Sequence, residues 1–211
     1  MFVRDYMSRS PITINKDTPV FKALTILKSN KIRQLPVVSA EGKLIGLVAE
    51  KDLINVSPSP ATSLSIYEVN YLLAKLTVAE AMSKNLLTVS PDATIEETAL
   101  LMREHKINSV PVIENDALVG IITVSDIFDA MLKLFAYGKP GVRMVIEAKD
   151  RVGLIADITK IVKEFDIMIR GIVTVEKDDS KADVVLRIGT VDPAPIVEAL
   201  EKNGFKVTCI S

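Results

Sequence analysis

Cysteine, histidine and net charge are all scarce in this 211-residue chain, and each shortage closes off a class of function. Cys209 is the only cysteine, so no intrachain disulfide can form and a reducing compartment fits; its plain reading is a small residue in a terminal strand. His105 is the only histidine. A metal site needs more ligands than one histidine and one distant cysteine, and a catalytic base needs a nucleophile or substrate beside it. Near the end of a predicted helix, His105 instead suits the C-terminal carbonyls. The formal charge is -1, which gives no electrostatic reason to bind nucleic acid. No stretch approaches the ~18 apolar residues of a membrane span, and Met1-Phe2-Val3-Arg4-Asp5 lacks the basic head and apolar run of a signal peptide. The expectation is a cytoplasmic protein with neither membrane nor nucleic acid as partner. A nucleophile elbow, a Walker-type glycine-rich loop and a carboxylate pair spaced as acid and base are also missing, so no catalytic role is expected.

What the chain does contain is an internal repeat. Met7-Ser8-Arg9 through Asp52-Leu53 lie over Met82-Ser83-Lys84 through Asp126-Ile127 with a single one-residue gap. Thr13 falls on Thr88, Asp17 on Asp92, Lys31-Ile32 on Lys106-Ile107 and Pro36-Val37 on Pro111-Val112, all at an offset of 75; past the gap, Gly46 falls on Gly120 and Asp52 on Asp126 at 74. Hydrophobic residues make up 48% of the chain, enough for a sizeable core, yet one copy alone has too little apolar surface to close one. A pseudo-symmetric pair packed face to face follows, with two equivalent clefts where ligands tend to sit. The chain divides into a first copy over 1–56, a linker with a helix over 57–76, a second copy over 77–137 and a tail unit over 141–211, set off by the breaker Gly138-Lys139-Pro140-Gly141.

Each copy reads as strand, helix, strand, strand, helix. Pro11 to Ile14 is extended, and Thr18-Pro19 opens a helix with a capping hydroxyl and a proline at its first position. Val20, Ala23, Leu24 and Leu27 then recur at helical spacing, as do Ile95, Thr98, Ala99 and Met102 behind the capping box Thr94 and Glu97. Leu35 to Val38 and Leu44 to Val48 form a strand, turn and strand, repeated as Val110 to Ile113 and Leu118 to Thr123; second helices begin at Lys51-Asp52 and Ser125-Asp126. Met7 and Met82 read as core. Between the copies, Ser57-Pro58-Ser59-Pro60 is an extended linker, and Ser65 with Glu68 caps a helix carrying Ile66, Val69 and Leu73.

Gly120-Ile121-Ile122-Thr123-Val124-Ser125-Asp126 matches the Gly-h-h-Thr/Ser-x-x-Asp signature, h being apolar, of CBS domains, and Ile32 to Val37 and Ile107 to Val112 match their middle strand. Residues 1 to about 135 therefore resemble a tandem CBS pair. As physical chemistry, a strand ending at Thr123 that hands over to a helix near Ser125 aims free backbone amides and two hydroxyls at one spot suited to phosphate. The Asp126 carboxylate beside it can accept two hydrogen bonds from the vicinal diol of a ribose. The bland alternative is that Ser125 and Asp126 only cap the helix, worth about 1 kcal/mol.

The resemblance implies that the aspartate of one copy faces the first strand and the Pro-Val strand of the other. By that implication Thr123, Ser125 and Asp126 meet Thr13, Ile14, Arg33, Pro36 and Val37, while Asp52 and Lys51 meet Thr88, Val89, Pro111 and Val112. The first copy departs from the signature, with Ala49 where a hydroxyl is expected and Lys51 in place of Ser125. Arg33 aligns with Asn108, so only the Asp126 cleft gains an arginine, either a phosphate clamp or an ordinary surface charge. The Asp126 cleft is the expected main site, for AMP, ADP, ATP or S-adenosylmethionine.

The tail reads βαββαβ. Val142 to Ala148 is a strand, Asp150-Arg151-Val152-Gly153-Leu154 turns into a helix, Ile167 to Val175 and Val184 to Ile188 flank the turn Lys177-Asp178-Asp179-Ser180, a helix runs from Pro195 to Asn203, and Phe205 to Ile210 closes the unit after Gly204. That order resembles the ferredoxin-like ACT domain, a regulatory module that often binds amino acids; Val152 stands where many members have proline. Asp150, Gly153, Leu154 and Ile155 would then form an amino-acid cradle, or Gly153 only eases packing and the domain dimerises. The whole is an α/β (α+β) chain resembling acetoin-utilisation-type regulatory proteins. The resemblance implies a non-catalytic sensor of an adenine nucleotide or adenosyl ligand that forms a homodimer, or alternatively a scaffold or regulatory subunit that binds a target enzyme with degenerate sites.

Overall fold

The computed structural model describes residues 1–56, 67, 75–177 and 180–211. The expected linker Ser57-Pro58-Ser59-Pro60, the Ser65 and Glu68 cap with Ile66, Val69 and Leu73, and Asp178-Asp179 of the tail turn lie outside the described residues. Two compact units make up the chain, Met1–Phe128 and Asp129–Ser211.

In the first unit, a 3-10 turn at Val3–Asp5 precedes β1 (Ser8–Arg9), β2 (Ile14–Asn15), α1 (Val20–Asn30), β3 (Gln34–Val38), β4 (Leu44–Ala49) and α2 (Glu50–Val56). The second half follows with α3 (Val78–Ala81), α4 (Ile95–His105), β5 (Ser109–Glu114), β6 (Ala117–Thr123) and α5 (Val124–Leu134), whose last turns enter the second unit. Sheet β2-β3-β4 belongs to the first copy and sheet β1-β6-β5 to the second. Helical spacing buries Val20, Ala23 and Leu27 on α1 and Ile95, Thr98 and Met102 on α4, as the sequence pattern requires. Both helices stop at a lysine in the left-handed conformation, Lys31 and Lys106, whose N–H groups return to the last turn. The gap between the copies lies in the hairpins. The second uses the two-residue turn Asn115-Asp116, both residues at positive φ, while the first spreads over residues 39–43 with Gly42 at φ 81.

The start of α1 differs from the sequence expectation. Pro19 is the cap and not the first helical residue, because it stays extended at ψ 140, and no side chain caps the helix; the Val20 N–H is satisfied by the Leu76 carbonyl instead. The Thr94 and Glu97 capping box forms as expected, and Glu97 is held below the usual carboxylate range, first by the Thr94 N–H and then by its hydroxyl. The second helices begin slightly early, at Glu50 and Val124.

Each copy is completed by the segment that precedes the other. Residues Met1 to Arg9 belong to the fold of the second copy: Val3 and Arg4 donate to the carbonyls of Ala93 and Pro91, Ile95 donates to Met1, and Ser8 and Arg9 pair with Ile121 and Gly120. Seventy-five positions on, Val78 and Ala79 donate to Thr18 and Lys16, Val20 donates to Leu76, and Ser83 bridges Leu47. Val78 is fully buried in the core of the first copy with Val20, Ala23, Leu27, Leu35, Val37, Val48 and Leu53. Removing such a side chain from water is worth roughly 1.5–3 kcal/mol, so neither copy closes its core without the other's arm. The expected core role of Met7 and Met82 takes a specific form. Both are half-buried, and Met7 sits on Gly120 while Met82 sits on Gly46, where an added Cβ would collide with the methionine sulfur.

The second unit has β7 (Val142–Lys149), α6 (Leu154–Glu164), β8 (Ile169–Glu176), β9 (Lys181–Ile188), α7 (Ala194–Lys202) and β10 (Lys206–Ile210), in an antiparallel sheet of order β10-β7-β9-β8. Strict alternation on β9 buries Ala182, Val184, Leu186 and Ile188 and turns Lys181, Asp183, Val185 and Arg187 to the other face. Leu154, Ile158, Ile161 and Val162 of α6 and Ile196 and Leu200 of α7 close the core against the first set.

Candidate functional site

The signature turn of the second copy is built by its own hydrogen bonds. Thr123 ends β6 and stands at the head of α5; its N–H and its hydroxyl both donate to Asp126 Oδ2, at 2.7 and 2.8 Å. The two bonds fix the carboxylate plane and leave Asp126 Oδ1 without a hydrogen bond among the described residues. In the first copy the Ala49 N–H donates to Asp52 Oδ2 at 3.0 Å, and no hydroxyl adds a second bond. Both aspartates are half-buried, so each carboxylate retains access to solvent or ligand.

The expectation of free amides at this turn needs correction. Thr123 N–H is taken by Asp126, Val124 N–H by the Asn108 carbonyl at 3.0 Å, and Asp126 N–H leans on Thr123 Oγ1 at 3.4 Å. Glu50 N–H is likewise held by the Arg33 carbonyl at 3.2 Å. The signature aspartate stitches its own turn, because an acid three residues into a helix is the natural acceptor for the N-terminal N–H groups. What the turn presents outward is Oδ1 of Asp126 and the exposed Ser125.

Burial divides the other candidates. Ile14 pairs in parallel with Val37, and Val89 with Val112, Val89 N–H donating to the Pro111 carbonyl at 3.2 Å. Ile14, Pro36, Val37, Pro111 and Val112 are buried and Val89 half-buried, so these side chains belong to the packing of the sheets. Thr13, Thr88, Arg33, Lys51 and Ser125 are exposed and able to reach a ligand. No hydrogen bond joins Asp126 to Thr13 or Arg33, or Asp52 to Thr88, among the described residues.

A side-chain bond between the copies was not singled out from the sequence: the Ser109 hydroxyl donates to Gln34 Oε1. Ser109 pairs with Thr123 and Gln34 with Ala49, so this bond lies directly behind both signature turns. Its signal was available, since Gln34 and Ser109 share the 75-residue offset and each is a polar residue that opens a strand and precedes an apolar run.

A concavity of about 620 Å³ opens elsewhere in the first unit, among Lys16, Asp17, Thr18, Lys22, Ser39 and Glu41, and none of the candidate nucleotide residues lines it. It marks a difference between the copies. Arg4 pairs with Asp92 at 2.5 Å, whereas the counterpart of Arg4 is Ala79, which leaves Asp17 without that arginine. The depression lies at the Val38 end of β3, away from Arg33, so depth and chemistry do not coincide here.

In the second unit, Gly153 caps α6 at φ 86, a left-handed conformation, and a Cβ there would approach only Arg151 Nη1, at 3.8 Å. The glycine is required by conformation, and tight packing is not the reason for it. Asp150 N–H donates to the Ser180 carbonyl at 2.6 Å, Leu154 is buried, Ile155 is half-buried and Val152 is fully exposed. Arg151 lies along the turn, paired with Asp157 at 2.5 Å. No His, Cys, Asp and Glu cluster fit for a metal occurs among the described residues, and no helix there is long and apolar enough to cross a membrane.

The chain belongs to the CBS-domain family, whose profile matches residues 3–59 and 78–133, and it carries an ACT domain at residues 142–205. Among the solved structures similar to the CBS pair, three carry the comparison. One is a putative acetoin utilization protein (AcuB) from Vibrio cholerae, 32% identical, TM-score 0.54, covering 66% of this chain and 98% of that one. Another is the CBS pair of protein MJ0100 in complex with 5-methylthioadenosine and S-adenosyl-L-methionine, 29% identical, TM-score 0.52, covering 62% and 95%. The third is CBSX2 in complex with AMP, 27% identical, TM-score 0.52, covering 62% and 96%. Tandem CBS domains and a C-terminal ACT domain, the architecture expected from the sequence, are thereby established.

Proposed function

We propose that this protein is a non-catalytic cytoplasmic sensor whose CBS pair takes an adenine nucleotide or adenosyl compound, with the Asp126 cleft as the main site. The observation that carries the reading is the turn itself. Asp126 Oδ2 is pinned by two donors from Thr123, which orients the free Oδ1 for a ribose diol without further ordering cost. The adenosyl and AMP complexes of similar CBS pairs support the ligand class. With most amides of the turn engaged, the phosphate or its equivalent falls to the exposed side chains Ser125, Arg33 and Thr13. The second cleft, around Asp52, Lys51, Thr88 and Val89, has one donor fewer on its carboxylate and binds more weakly. The ACT domain serves a homodimer or senses an amino acid at Asp150, Gly153, Leu154 and Ile155. A ligand changes the output only through unequal affinity for two arrangements of the modules.

Calorimetric titration of stripped protein with AMP, ADP, ATP and S-adenosylmethionine tests the reading. Charge-assisted hydrogen bonds are worth about 1.5–3 kcal/mol, so Asp126→Ala should weaken the main site by roughly ten-fold or more. Asp52→Ala should weaken that site less than Asp126→Ala does, and equal effects would refute the ranking of the clefts. Absence of heat from all four ligands would move the function to a scaffold that binds a target enzyme, a reading that Ala49 and the engaged amides already favour in the first copy.

A further inference from the structure

Ser109 and Thr98 are the buried polar residues of the described chain, and they are buried for different reasons. The Thr98 hydroxyl bonds the Thr94 carbonyl of its own helix at 2.8 Å, a purely local arrangement. The Ser109 hydroxyl instead reaches Gln34 of the other copy. Residues 75 positions apart are equivalents in the repeat, and two equivalents touch only on the axis that relates the copies. The Ser109–Gln34 bond therefore marks the pseudo-dyad of the CBS pair.

Both signature turns connect to that bond through their neighbouring strands. On one side Asp126 holds Thr123, and Thr123 is the ladder partner of Ser109. On the other Asp52 holds the Ala49 N–H, and Ala49 is the ladder partner of Gln34. Asp126, Thr123, Ser109, Gln34, Ala49 and Asp52 thus form one unbroken path whose steps are hydrogen bonds or paired backbone. A single hydroxyl proton sits at its centre. We propose that Ser109 and Gln34 are positioning residues that couple the two clefts, so that drawing Asp126 toward a ligand resets the Ala49–Asp52 turn, and the reverse. By reciprocity each cleft changes the other's affinity by the same factor. The consequence for ligand binding rests on the clefts being nucleotide sites; the mechanical link does not.

The test is a double-mutant cycle on the full chain without ligand, read by amide hydrogen exchange at Ala49, the donor to Asp52. Asp126→Ala should change Ala49 protection by about five-fold, at the lower end of typical coupling, in the native background and in the hydroxyl-retaining Ser109→Thr background. In the Ser109→Ala background the change should vanish. An effect of equal size in all three backgrounds, or none in any, overturns the proposal, whereas mere loss of structural support would shift protection without restoring the cross-effect in Ser109→Thr. A second arm titrates AMP into native protein, Ser109→Thr and Ser109→Ala. Two-site binding whose cooperativity is lost only in Ser109→Ala supports the link, and cooperativity that persists there refutes it. If the native protein binds no AMP, the nucleotide reading fails while the exchange cycle still decides the coupling.

Discussion

Gly120→Ala and Gly46→Ala look like the same substitution made twice, yet the structure assigns them different costs. At Gly120 an added Cβ would lie 2.6 Å from Met7 Sδ, 3.1 Å from Met7 Cγ and 3.1 Å from the Ser8 carbonyl oxygen. At Gly46 the three nearest atoms all belong to the Met82 side chain, Sδ the closest. Methionine has three rotatable bonds and retreats cheaply, but the Ser8 carbonyl is fixed because Ser8 is paired with Ile121. Overpacking costs about 1–3 kcal/mol, which puts Gly46→Ala near 1 and Gly120→Ala near 3. The methionine variants separate the causes. Met82→Ala should absorb most of Gly46→Ala, removing the Sδ and Cγ contacts and leaving only the 3.3 Å approach to the retained Cβ, so that the double variant is nearly as stable as Met82→Ala alone. Met7→Ala should absorb only part of Gly120→Ala, leaving about 1 kcal/mol from the carbonyl. With no tryptophan in the chain, urea unfolding followed by far-ultraviolet circular dichroism is the assay. Equal costs for the two alanines, or full rescue at both sites, would refute the view that the signature glycines are seats for the other copy's arm.

Thr94→Ala should cost about 1 kcal/mol through loss of the helix cap, measured by the same unfolding assay. Glu97, whose carboxyl is depressed by the Thr94 N–H and hydroxyl, contributes stability that is present above the ordinary glutamate range and lost as pH falls through the lowered value. Glu97→Gln should therefore flatten the acid limb of the stability curve, and an unchanged limb would show that this carboxylate is not the group responsible. Gly153→Ala should destabilise by about 1–2 kcal/mol from backbone strain alone, with part regained in Gly153→Asn, as monitored by thermal melts; no loss would mean that the turn readily leaves φ 86. Lys177 Nζ lies 2.7 Å from Asp183 and 3.8 Å from Glu147, themselves cross-strand partners, and Asp183 foremost raises its pKa. Its contribution is present below the ordinary lysine value and lost as pH rises through the raised one. Lys177→Met should leave two facing carboxylates and make the variant gain stability on acidification relative to the native chain, a trend whose absence would rule out repulsion between them.

The parts of the fold that were legible in the sequence are those governed by local periodicity and by the repeat. The apolar stripes of α1 and α4, the paired strands, the Thr94 cap and the βαββαβ order all follow from residues a few positions apart. The reciprocal exchange of arms was not legible, because nothing within Met1 to Arg9 says which sheet its backbone will join; that is settled only when Ala93, Pro91 and Gly120 are brought alongside. The start of α1 is ambiguous in the sequence for a similar reason. Pro19 is equally at home at the first helical position or before it, and the Leu76 carbonyl, which decides the matter, comes from far along the chain. At the site, the identity of the signature residues was plain, but the fate of the amides was not. Whether a helix N-terminus offers its N–H groups to a ligand depends on which acceptors the fold brings, here Asn108 and Asp126 itself.

Comparison of the two copies separates what holds the fold from what equips the site. Val3 and Val78, or Arg4 and Ala79, make the same backbone bonds in their respective positions, and the ladders of β3–β4 and β5–β6 run in the same register up to the hairpin. The side-chain polar contacts do not follow that symmetry. Thr94 and Glu97 cap α4, whereas Pro19 and Lys22 leave α1 uncapped; Arg4 holds Asp92, whereas Ala79 cannot reach Asp17; Thr123 gives Asp126 two donors, whereas Ala49 gives Asp52 one. In these three instances it is the first copy that lacks the contact. Because the backbone frame is common to both copies, the signature turns end ladders of the same register while differing in how firmly their aspartates are held. The two signature turns thus differ through side chains on a common backbone, and the Ser109–Gln34 bond joins equivalent positions of the two copies.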